Sequence, residues 1–193
     1  MMYPDLLILR HGETEWNRIG RMQGAADSPL TELGRRQAKS QGRLLAKRDL
    51  TGWAYRVSPL GRCRETARIA LGRKIDSAQE DSRLVEITLG DWTGKMRTEI
   101  AAEVPYLFDQ GDGMEWYDHA PGGEGLEGIC ARTGAFLSEL NAPTVIVTHG
   151  ITSRILRCHY LGLEPAAFAD LPGGQGVIYH MSNGSQNCLA EGG

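Results

Sequence analysis

Two short units in this chain hold side chains suited to chemistry: Arg10-His11-Gly12 near the start and His149-Gly150 much later. An imidazole is a competent nucleophile near neutral pH, and a guanidinium grips phosphate oxygens in pairs. Glycine beside them lets a ligand approach the backbone. These types together suit attack on a phosphoryl group. Arg62 extends the set, because Ser58-Pro59 ends one apolar run and opens a helix with Arg62 in its first turn. Free N–H groups and the positive end of the helix dipole favour an anion there.

Strands must position these residues. Leu6-Leu7-Ile8-Leu9 and Val145-Ile146-Val147-Thr148 are runs without polar alternation, which read as strands buried on both faces of a parallel sheet. Each delivers its His-Gly to a carboxyl end, where open α/β sheets build ligand sites. Two imidazoles therefore share one rim of the sheet. Trp53–Val57 reads as a further strand. Helical spacing follows Thr31 to about Lys47, follows Pro59 through Cys63, Ala67, Ala70 and Leu71, and covers Leu126–Leu140 and Thr152–Leu161, with Gly162 as a stop. Residues between Arg10 and Leu30 read as loop, and Leu84–Leu89 as a short extended stretch holding Glu86. Val177–Met181 and Asn187–Ala190 flank Asn183-Gly184 as a hairpin. The sheet is expected to be mostly parallel with an antiparallel addition at its C-terminal end.

Composition narrows the classes. A length of 193 residues and 41% hydrophobic content fit one soluble domain. The net charge of -3, without a basic block, argues against nucleic acid. No stretch reads as a signal peptide or membrane span, and Cys63, Cys130, Cys158 and Cys188 lack metal or disulfide spacing. Free buried thiols in a cytoplasmic protein are the expected state.

The blocks Arg10-His11-Gly12-Glu13-Thr14, Trp16-Asn17, Gln23-Gly24, Leu30-Thr31, Ser58-Pro59-Leu60-Gly61-Arg62, Glu65-Thr66-Ala67 and Leu84-Val85-Glu86 occur in this order. Gly90-Asp91-Trp92-Thr93-Gly94, Pro121-Gly122-Gly123-Glu124, Thr148-His149-Gly150 and Arg154 complete the series. The series resembles the histidine phosphatase superfamily, the phosphoglycerate-mutase-like proteins. The resemblance implies a three-layer α/β/α sandwich and a single domain over 1–193, with 98–120 as a lid insertion. It makes His11 the phosphoryl acceptor, Arg10, Arg62 and His149 the phosphate pocket, and Glu86 the proton donor. Asn17, Gln23, Gly24 and Gly150 become substrate contacts.

The implied activity is a metal-independent phosphomonoesterase, without cofactor, acting on a small phosphorylated metabolite or the nucleotide-like α-ribazole phosphate. Charge stabilisation at the phosphoryl oxygens must dominate such a reaction, and cationic side chains supply it. The alternatives are a 2,3-bisphosphoglycerate-dependent mutase and a non-catalytic phospho-ligand binder. The mutase members carry a basic insertion after the proton donor. Here 98–120 holds Glu99, Glu103, Asp109, Asp112, Glu115 and Asp118 and no Lys or Arg. Such acids beside the mouth would repel a polyanion. Tyr106, Phe108, Trp116 and Tyr117 either cover a substrate body or pack the lid on the domain. Gly125 stands where relatives have Ser. His119, His159 and His180 lack ligand spacing and read as surface or packing residues.

Overall fold

The computed structural model describes residues 3–108 and 114–191. Asp109, Asp112 and the side chain of Glu115 lie outside the described residues. The sheet consists of β1 (Leu6–Arg10), β2 (Ala54–Val57), β3 (Gln79–Glu80), β4 (Thr144–Thr148), β5 (Ile178–Ser182) and β6 (Ser185–Leu189). Their order across the sheet is β3-β2-β4-β1-β5-β6. The first four are parallel, and β5 and β6 add antiparallel. This is the mixed sheet with an antiparallel C-terminal addition that the sequence suggests.

Helices cover both faces, which is why β1 and β4 lack polar alternation. Leu7, Leu9, Val145 and Val147 pack with Leu44, Leu45, Cys63 and Ala67 from α2 (Glu32–Ala46) and α3 (Gly61–Leu71). Leu6, Ile8 and Ile146 face the other way, onto Phe136, Leu137 and Leu156 from α5 (Gly125–Ser138) and α6 (Gly150–Leu161). All seven of these aliphatic residues on β1 and β4 are fully buried, and each contributes roughly 1.5–3 kcal/mol of transfer free energy. A third cluster joins Ile87, Trp92, Ile100 and Trp116 to Ile151 and Ile155, and so fastens the 97–119 region beside the carboxyl rim. Gly162 closes α6 in the left-handed conformation, at φ 66°.

Several expectations need correction. The loop after β1 contains a short helix α1 (Glu15–Arg18), capped reciprocally by Thr14 and Asn17. Leu84–Leu89 is not a strand. Leu84 closes a 3-10 turn (Ser82–Leu84), and Glu86 follows on backbone outside every ladder. Residues 97–103 form α4 (Arg97–Glu103), which polar periodicity did not announce. All four cysteines are free, but only Cys63 and Cys158 are buried, while Cys188 is exposed. Among the described residues, no helix is long and apolar enough to cross a membrane.

Candidate active site

Strand register brings the two imidazoles together. Arg10 pairs with Thr148 across β1 and β4, so His11 and His149 leave the sheet side by side. The His11 amide donates to the Thr148 carbonyl at 2.9 Å, and the ring centroids are 5.2 Å apart. Both rings are almost fully buried. His11 Nδ1 lies 2.8 Å from the Gly12 carbonyl. A carbonyl only accepts, so Nδ1 bears the hydrogen and Nε2 keeps its lone pair. Burial holds the His11 pKa well below its ordinary value, with Arg10 and then Arg62 adding to the effect. The neutral ring is thus secured by desolvation first and by neighbouring cations second.

His149 is gripped on both nitrogens. Arg62 Nε donates to Nδ1 at 3.1 Å, and Nε2 lies 2.7 Å from Ser58 Oγ. Since a guanidinium only donates, the hydrogen of the neutral ring is on Nε2 and points at Ser58. Burial, followed by Arg62, also lowers the His149 pKa well below the usual value. The Cys63 thiol touches the same ring at 3.4 Å, and burial pushes its pKa up, so it is an inert neighbour.

Arg62 is 1% exposed and already engaged by His149, the Ala26 and Gly24 carbonyls and Asp27. Four of its five N–H groups are used, which leaves one for a ligand. Asp27 is a 3.0 Å ion pair that offsets the buried charge. Sequence reading missed it, although it lies three residues beyond Gly24. Arg10 contrasts with Arg62: its guanidinium finds no hydrogen-bond partner among the described residues, and Nε is buried without one. A Cβ on Gly150 would lie 3.2 Å from the Arg10 guanidinium carbon, so glycine is what lets that cation lie across the start of α6.

These groups open into a cavity of about 240 Å³ whose wall includes Arg10, His11, Asn17, Gln23, Gly24, Arg62 and Glu86. Asn17 Oδ1 accepts from the Thr14 amide and Gln175, which leaves its amide nitrogen for a ligand. Gln23 Nε2 instead supports Thr14 Oγ1, and the Gly24 carbonyl holds Arg62. Arg21 also lines the cavity; its buried Nε has no partner and its guanidinium lies 5.4 Å over Trp16. Glu86 sits at the N-terminus of α6, where its carboxylate accepts from the Ile151 and Thr152 amides and the Thr152 hydroxyl. Gly150 is off this wall. It lines a second cavity, of about 220 Å³, that shares Arg10, Glu86 and Tyr117 with the first.

The described acidic residues of 98–120 do not form a negative mouth. Glu99 caps the Met96 amide, Glu103 pairs with Lys95, and Asp118 accepts from the Leu126 amide. Among the described residues, none of these acids lines either cavity, whereas Arg97 does. The aromatics divide. Trp116 is buried and stacked on Tyr117 at 3.9 Å, Phe108 packs behind it, and Tyr106 is exposed. Tyr117 alone reaches the cavities, and burial raises its pKa so that it stays a neutral hydroxyl. His119 is exposed, and His159 bonds to the Cys130 carbonyl far from the rim.

Known proteins share this architecture. Residues 6–189 match the sequence model of the histidine phosphatase superfamily (branch 1). Phosphoserine phosphatase 1 of Hydrogenobacter thermophilus is 33% identical over 174 residues, covering 84% of this chain and 79% of the relative. Glucosyl-3-phosphoglycerate phosphatase of Mycolicibacterium vanbaalenii is 36% identical over 180 residues, covering 84% and 76%. The solved structure of a mycobacterial glucosyl-3-phosphoglycerate phosphatase with VO3 superposes with a TM-score of 0.80 at 32% identity, covering 97% of each chain. With the paired imidazoles, the guanidiniums and this match along its whole sheet, the chain belongs to the histidine phosphatase superfamily and is an enzyme of the phosphatase class.

Proposed function

We propose that the chain acts as one histidine phosphatase domain that hydrolyses small phosphomonoesters through a phosphorylated His11. The reading is carried by the convergence of an unengaged His11 Nε2 with a partnerless Arg10, a buried Arg62 and His149 on one cavity. In the first step His11 Nε2 attacks phosphorus, the bond to the ester oxygen breaks, and Glu86 gives that oxygen its proton. In the second step water attacks the phosphohistidine, Glu86 takes the water's proton, and inorganic phosphate leaves. Arg10, the remaining N–H of Arg62 and the Asn17 amide stabilise the equatorial oxygens. His149 holds the Arg62 guanidinium in place through its Nδ1. Gly150 serves as clearance for Arg10, and Gln23 and Gly24 hold the cavity wall. Tyr117 is the lid residue of the 98–120 segment that meets the substrate.

The relatives named for phosphoserine and glucosyl-3-phosphoglycerate support a small phosphorylated metabolite as substrate. Four unpaired thiols fit the reducing cytoplasm. No step uses a metal, so turnover of p-nitrophenyl phosphate is expected to persist in EDTA. The decisive measurement is mass spectrometry after quenching mid-turnover in alkali, where phosphoramidates survive. Phosphate on the His11 peptide is expected, together with a loss of at least about 10⁴-fold in kcat for His11→Ala. A variant keeping full turnover would overturn the scheme.

A further inference from the structure

We propose that the second cavity holds the leaving alcohol of the substrate and that Arg154 there binds a carboxylate on that alcohol. The proposal rests on the phosphatase reading above and names its substrate class. The two cavities meet at Arg10, Glu86 and Tyr117. With the phosphoryl group between His11 and the cationic wall, the oxygen that Glu86 protonates lies at this junction. The carbon skeleton beyond it therefore enters the second cavity, whose volume of about 220 Å³ suits a small body.

With Arg10 turned to the phosphoryl group, Arg154 is the further cation in that cavity with unused capacity. Its Nε is buried without a partner, and the one contact of its Nη1 is the Met114 thioether, a weak acceptor. Among the described residues it has no carboxylate partner, and the nearby Arg10 charge pushes against it. Burial lowers its pKa from the ordinary value, with Arg10 adding to the effect and Tyr117, Tyr179 and Glu86 opposing it. A planar guanidinium with a free Nε edge fits a carboxylate in a two-point fork.

The surroundings are built to keep Arg154 in place. Position 150 to position 154 is one helical turn, so Arg154 follows Gly150, and therefore Arg10, on the same face of α6. A Cβ on Gly173 would lie 2.7 Å from Arg154 Nη2, so the side chain depends on glycine there. That loop is fastened from behind. Arg157 donates to the Pro172 carbonyl at 2.8 Å and stacks 3.8 Å from Tyr179, whose hydroxyl donates to the Gly173 carbonyl at 2.6 Å. Each nitrogen of Arg157 thus bonds to the wall, while Arg154 faces the space.

The test uses kcat/KM for O-phosphoserine divided by kcat/KM for p-nitrophenyl phosphate. Arg154→Met is expected to lower this ratio about 10- to 100-fold, the range for losing a charge-assisted hydrogen-bonded pair. On the unmodified protein, O-phosphoserine carboxamide, whose carboxylate is neutralised, is expected to show a comparable loss relative to O-phosphoserine. This arm holds even if the variant folds poorly. A ratio unmoved by Arg154→Met with no penalty for the amide overturns the carboxylate subsite while leaving the phosphatase reading intact. So does a selective loss on a small bisphosphate alone, which would assign Arg154 to a second phosphate. Absence of turnover on every ester sinks the phosphatase reading and this proposal with it.

Discussion

At the residue scale, Glu86 poses the sharpest question, because its carboxylate is fixed by α6 donors rather than by a cation. If it protonates the ester oxygen, its importance must grow as the leaving group becomes a poorer anion. Glu86→Gln keeps the shape but cannot transfer the proton. The expected loss is about 10²-fold or more on an alkyl phosphate, and at least about tenfold smaller on p-nitrophenyl phosphate, whose phenolate departs unaided. Steady-state kinetics on the two esters checks this, and equal losses would remove Glu86 from that step. Sequence reading reached the imidazoles and guanidiniums because strand ends followed by Arg-His-Gly or His-Gly announce themselves. It could not reach Asp27, Ser58 as the partner of His149, or the Tyr117 junction. Those contacts are made between side chains brought together only by tertiary packing.

At the scale of elements, close backbone approach ties the His11 loop to α2. A Cβ on Gly34 would meet the Glu13 carbonyl oxygen at 2.1 Å, and one on Gly12 would meet the Gly34 carbonyl at 2.2 Å. Helix propensity alone would favour alanine at Gly34 by about 1 kcal/mol. The clash is with backbone on both sides and cannot relax, so Gly34→Ala is expected to destabilise by about 1–3 kcal/mol net. Gly134 in α5 is the contrast: its nearest neighbour is the His159 ring at 3.5 Å, an ordinary contact. Gly134→Ala is expected to stabilise by up to about 1 kcal/mol. Urea unfolding of the pair tests whether sterics reverse the propensity. The same balance explains what sequence showed of the elements. Buried aliphatic runs fixed β1 and β4 to within a residue or so, the Ser58-Pro59 stop marked the end of β2, and hydrophobic spacing found α2, α3, α5 and α6. The two-residue exposed edge strand β3 has no apolar pattern to detect. Val85-Glu86-Ile87 resembles a strand by composition, yet it turns away to carry Glu86 to the α6 N-terminus.

At the scale of the molecule, a chain of net charge -3 concentrates Arg10, Arg21, Arg62, Arg97 and Arg154 around two adjoining cavities. A local positive field within an acidic protein draws phosphate esters inward without making the surface sticky for polyanions. The fold bears a cost for that arrangement in its histidines. His11 and His149 have folded pKa values well below 6.5, chiefly from burial. Above pH 6.5 both folded and unfolded chains hold them neutral, and they leave stability unchanged. Below it the unfolded chain takes up protons that the folded chain refuses, so stability falls with a slope of about 1.4 kcal/mol per pH unit for each ring. The loss therefore starts near neutrality, before carboxylates titrate. Thermal unfolding between pH 7.5 and 5.5 is expected to show Tm dropping steeply, and a His11→Gln, His149→Gln double variant is expected to flatten that drop. Vanadate, by placing an anion against both rings, is expected to lessen it in the unmodified protein as well. A pH profile identical with and without the two imidazoles would mean that their burial carries no such penalty.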